Sequence, residues 1–123
     1  MDLNKVLDLK GINFLFLAAA MFLNLFWTFT AASIVAYLAS TEQAAGDMVQ
    51  VMLVLITFLG PFLIGWMIGR MAGDSRGPTY GVYGSLGSVI ILAVTALPTG
   101  IVGFILIVVA LAGGLNGGLV SLR

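Results

Sequence analysis

Histidine and cysteine are both missing from this chain of 123 residues. Without them zinc, copper and haem lose their usual nitrogen and sulfur ligands. Nucleophile–base pairs of the Ser–His or Cys–His kind cannot be assembled either. Charge is nearly as scarce, at 8% of residues against about 25% in an ordinary globular chain. The net charge is zero, which removes the electrostatic case for nucleic acid or an acidic partner. The carboxylates Asp2, Asp8, Glu42, Asp47 and Asp74 all fall outside the long apolar runs. No acidic or basic residue therefore marks a proton or ion pathway within those runs. The glycine-rich segments lack a following Lys-Ser/Thr and so are not phosphate loops. No catalytic residue, metal ligand or cofactor is assigned, and an enzyme is not expected.

Hydrophobic residues make up 61% of the chain, and they lie in charge-free runs at 11–41, 48–69 and 77–122. A helix needs ~20 apolar residues to cross a bilayer's hydrocarbon layer. The first two runs each supply one span. The third is long enough for two, and Leu97-Pro98-Thr99-Gly100 supplies a turn near its middle. Strands of alternating polarity are absent, and lipid does not tolerate unpaired backbone groups, so the spans are helices. The reading is an all-α membrane protein: one domain, 1–123, with four transmembrane helices in an up-down-up-down bundle. The spans fall at about 12–38, 48–72, 78–97 and 100–121. Leu3, Val6 and Leu7 share a helical face, which suits 1–10 lying as a short helix at the membrane surface, the alternative being a frayed terminus that continues into the first span. The first run far exceeds the ~7–15 apolar residues of a signal peptide, so it is expected to be retained.

Orientation follows from the basic residues. With four spans, Lys5, Lys10, Arg70, Arg76 and Arg123 fall on one side, and Glu42 and Asp47 on the other. The positive-inside rule then puts both termini and the 70–76 connection in the cytoplasm. Trp66, Tyr80 and Tyr83 would form an aromatic belt at that surface.

Within the spans, Asn24, Trp27, Thr28 and Ala31 follow i, i+3, i+4, i+7 spacing and share one face. A helix-packing face is the favoured reading. A seat for a lipid, quinone or carotenoid tail is the alternative. Gly60-Pro61 predicts a bend, because proline removes the donor of the Thr57 carbonyl. Counting ~1.5 Å per residue puts Asn24 and Thr57 at nearly equal depth. Asn24 is accordingly expected to turn toward the second span and donate to the backbone beside Thr57. Asp47 and Gln50 are expected to cap that span.

Glycines four apart let helix backbones approach closely. Gly65, Gly69 and Gly73 form one such groove, and Gly77, Gly81, Gly84, Ser85 and Ser88 continue the theme. Ala110/Gly114/Gly118 and Gly113/Gly117/Ser121 form two ladders in the last span. Arg70 is read as a boundary arginine paired with Asp74, or as a headgroup clamp with Arg76.

Residues 60–123 resemble a group of small four-span prokaryotic membrane proteins. The likeness rests on Gly65-x-x-x-Gly69-Arg70-x-x-Gly73, a glycine-rich third span and Gly113-Gly114-x-x-Gly117-Gly118 before a basic residue. It implies four spans in a prokaryotic cytoplasmic membrane and brings no activity with it. The glycine faces exceed what one small bundle would use. The expected role is therefore a non-catalytic accessory or scaffold subunit of a larger, energy-transducing or other, membrane complex. Its partners would be other membrane subunits, a second copy of itself, or lipids. Two alternatives remain. One is a homo-oligomeric channel or carrier using Asn13, Asn24, Thr28, Thr57 and Asn116. The other is a lipid- or pigment-tail binder.

Overall fold

A computed structural model describes residues 3–40 and 46–123. Asp2, Glu42 and the Asp47 side chain, and with it the expected Asp47–Gln50 cap, lie outside the described residues. The described chain is helical, with no strand. In order it forms α1 (Leu3–Leu7), α2 (Phe14–Ser40), α3 (Gly46–Ala72), α4 (Gly77–Thr95), a 3-10 turn (Leu97–Thr99) and α5 (Ile101–Val120). The helices α2 to α5 are all long and apolar enough to span a membrane, consistent with a multi-pass membrane protein.

Local chemistry explains several of the helix ends. Asn13 opens α2, its Oδ1 accepting the Leu15 N–H at 3.0 Å. Pro78 sits in the first turn of α4, where its missing N–H costs nothing. That helix stops at Thr95 rather than near 97, and the chain tightens into the 3-10 turn Leu97–Thr99, because Pro98 has no N–H to carry the α-helical ladder on. Gly100, at φ +108°, then turns the chain into α5. Gly73 was expected to extend the groove of α3 but stands past its end at φ +64°, with nothing near its α-carbon's open side. It is a helix-ending glycine, with no packing role.

α4 is the centre of the molecule. It touches α1, α2, α3 and α5, whereas α2 and α5 do not meet. For α4, hydropathy runs opposite to burial. The α4 span is the least apolar, at mean hydropathy 1.3, and the most covered, at 56% buried. Where other helices cover α4 it does not face lipid, so Gly, Ser, Thr and Tyr can occupy its buried positions. Two apolar clusters flank it: Ile12, Leu17, Ala20, Ile64, Ile68 and Tyr80, and separately Leu92, Leu106 and Ala110.

Candidate functional site

Three features concentrate the side chains that sequence reasoning singled out: a glycine interior, a polar seam and a basic end.

In the interior α3, α4 and α5 meet backbone to backbone. A methyl group added at Gly113 would overlap the Phe58 carbonyl, and one at Gly117 would stand 2.9 Å from the Phe62 α-carbon. One at Gly65 would lie 2.8 Å from the Gly114 carbonyl oxygen, and one at Gly81 2.7 Å from the Gly114 carbonyl carbon. Gly77 and Gly118 oppose each other in the same way, and Gly69 lies against Ser121. Gly84 turns instead toward α2, 2.7 Å from the Ala20 Cβ by the same construction. All of these grooves are filled by the chain itself. The surplus of glycine faces expected for partners is not found among the described residues.

The polar seam joins α2 to α4. Asn24 is 1% exposed, and its amide NH₂ donates to its own Ala20 carbonyl at 2.9 Å. The Thr28 hydroxyl donates to Ser88 Oγ at 2.6 Å, and Ser88 donates on toward Asn24 Oδ1 at 3.3 Å. Asn24 thus faces α4, which overturns the expected bond to α3. Its neighbour one turn on makes that link: the Trp27 indole N–H donates to the Ile56 carbonyl at 3.1 Å. Equal depth locates the acceptor to within a residue but not the donor, because depth along a helix does not fix rotation about it. Gly60 explains why tryptophan fits there. A Cβ on Gly60 would fall inside the indole, 2.6 Å from its Cε2.

The remaining candidates scatter. Asn13 is a helix cap, and Asn116 is exposed, donating to its own Ala112 carbonyl at 2.7 Å. Thr57 is buried beside Pro61 in a small cavity facing Thr28. The structure does not gather the neutral polar residues around one lumen. Hydroxyls on the outer surface are satisfied locally: Ser33 donates to Phe29 and Thr95 to Ile91, both at 2.8 Å. Such back-bonding removes the need for water.

At the basic end, Arg70 and Arg76 go different ways. The Arg70 guanidinium sits 5.8 Å from the centre of the Trp66 ring and donates to the Arg123 backbone oxygen at 3.0 Å. Arg76 donates to the Lys10 carbonyl at 2.6 Å and to the Asp8 carbonyl. Asp74 is not held by Arg70. Its Oδ2 accepts the Tyr80 hydroxyl at 2.7 Å, and its Oδ1 accepts the Arg76 N–H at 3.1 Å.

Tyr80 is the residue that sequence reasoning misplaced. It was expected in a surface belt, yet it is 0% exposed, edge-on to Phe16 with ring centroids 6.5 Å apart. Its hydroxyl also accepts the Asn13 N–H at 2.8 Å. Tyr83 adds a bond to the Leu7 carbonyl at 2.6 Å. Arg76, Tyr80 and Tyr83 therefore bolt residues 7–13 across the start of α4. Their i, i+4, i+7 spacing was the available signal. Tyr80→Phe is expected to cost about 1–3 kcal/mol, since two groups lose their partner at once. Hydrogen exchange should show faster amide exchange across residues 7–13, with α5 unchanged.

Compared with protein-family models, curated proteins and solved structures, the chain matches none. Its function must therefore be argued from its own chemistry.

Proposed function

We propose that this chain is a non-catalytic, membrane-embedded packing unit, acting as an accessory or scaffold subunit of a larger membrane assembly. The observation that carries the reading is the closed interior. Glycine faces of α3, α4 and α5 meet carbonyls directly, which leaves no room for a solute path between them. The polar residues also lie apart, Asn13 capping α2, Asn116 bonding its own helix, and Asn24 and Thr28 tied to Ser88 in the α2–α4 seam, which weighs against the channel or carrier reading.

An up-down-up-down order suits these contacts. Phe58 and Phe62 climb α3 as Gly113 and Gly117 climb α5, while Gly77 and Gly81 pair with Gly118 and Gly114 in the reverse sense. The basic residues 70, 76 and 123 bond at one end together with residues 8 and 10. By the positive-inside rule that end is cytoplasmic.

With the glycines used internally, a partner would meet the outer apolar surface. On α2, which is only 22% buried, Phe22, Phe26 and Phe29 form an exposed row. Gentle extraction of the native protein is expected to give a complex larger than one chain. Phe22→Ala/Phe26→Ala/Phe29→Ala should shift it to a single-chain species. A native protein that runs as a lone monomer would end the subunit reading.

A further inference from the structure

Between α2, α3 and α4 lies a cavity of about 20 Å³ lined by Trp27, Thr28, Ala31, Leu53, Thr57 and Leu92, among others. We propose that it is a binding site for one buried water, held by Thr28 and Thr57, that stands in for the donor Pro61 removes.

The argument begins with Thr57. Its residue is 6% exposed, and among the described residues nothing takes its hydroxyl. Its carbonyl has no amide four residues on, because position 61 is proline. A threonine in such surroundings with an unbonded hydroxyl and a carbonyl that lacks its usual donor gains from a further partner. The usual remedies are committed elsewhere. The Trp27 N–H is taken by the Ile56 carbonyl, and Asn24 has turned to α4.

The space and the chemistry suit water. A site needs ~10–15 Å³ and 2–4 polar partners to hold one, and buried waters typically make ~3 hydrogen bonds. Thr28 spends its hydrogen on Ser88, so its oxygen is left as an acceptor. The water would donate to Thr28 Oγ1 and to the Thr57 carbonyl, and accept the Thr57 hydroxyl. That makes three bonds. It also completes a chain from Thr57 through water, Thr28 and Ser88 to Asn24, tying α3 to α2 and α4. The turn of α3 at Pro61 would then be a wetted, fixed joint.

The test is water-to-methyl magnetisation transfer in the full chain, embedded in lipid nanodiscs with labelled threonine methyl groups. A cross-peak from a slowly exchanging water to both the Thr28 and Thr57 methyls is expected. Thr57→Val should remove it at Thr28, and Thr28→Val should remove it at Thr57, so either folded variant suffices. Thr57→Ser, which keeps the hydroxyl, should retain it at Thr28. Pro61→Ala, which restores the backbone donor, should weaken it at least twofold. A wild-type cavity with no water peak overturns the site, as does an acyl-chain peak in its place. A water peak that survives both valine substitutions overturns the assignment of its partners.

Discussion

Replacing Gly117 with alanine is expected to destabilise the chain by about 1–2 kcal/mol, and replacing it with leucine by more than 3 kcal/mol. Two opposing effects decide the alanine result. Within a helix alanine is favoured over glycine by roughly 1 kcal/mol. Overpacking a filled interior costs typically 1–3 kcal/mol. Here the obstacle is the backbone of Phe62, whose carbonyl carbon would lie 2.7 Å from the new methyl group. A backbone held in its own helix cannot swing aside as a side chain can, so the overlap wins. Leucine adds three more carbons in the same direction and should part α3 from α5. Unfolding by sodium dodecyl sulfate in mixed micelles, followed by the fluorescence of Trp27 and Trp66, measures both. Ser33→Ala, on the outer surface, is the control and should stay within about 0.5 kcal/mol of wild type.

Gly60→Ala is expected to cost about 2–3 kcal/mol for a different reason. The new methyl would occupy the place of the Trp27 indole, so the ring must rotate away. Rotation breaks the 3.1 Å bond to the Ile56 carbonyl and leaves a polar N–H in apolar surroundings. Because the obstacle is a side chain, removing it should remove the penalty. In a Trp27→Leu background, Gly60→Ala should cost little, with a coupling of about 1–2 kcal/mol between the two sites. Equal penalties in the two backgrounds would mean that Gly60 is small for some other reason.

The architecture was legible because hydropathy reports directly on lipid contact. Runs long enough to cross a bilayer became the long helices, and the turn at 97–100 appeared where proline and glycine marked it. Glycine spacing identified residues that lie at backbone contacts, Gly65, Gly81, Gly113 and Gly117 among them. Spacing could not say whether the facing backbone belonged to this chain or another, and the expectation of spare faces failed on that point. Gly73 failed because helical periodicity does not announce where a helix stops. Asn24 failed because its depth was right and its azimuth was not. Trp27, three residues on and about 60° around the helix by its ~3.6-residue turn, already held the backbone of α3. Tyr80 was hidden by a rule that is true on average. Tyrosines favour membrane interfaces, but this one is covered by Phe16 and by the Asn13 backbone folding over it.

The central claim is that the helices close on one another within a single chain, with α4 in the middle and α2 held to it at mid-length. The chain has no cysteine of its own, so an introduced pair gives an unambiguous answer. The Thr28 and Ser88 oxygens are 2.6 Å apart, close to the ~2.05 Å of a disulfide's sulfur atoms. The measurement is oxidation of Thr28→Cys/Ser88→Cys in membranes containing a mixture of tagged and untagged copies. A disulfide that forms within each chain, leaving tagged and untagged copies unlinked, is the result this account requires. A pair that stays reduced, or one that joins tagged to untagged chains, would contradict it.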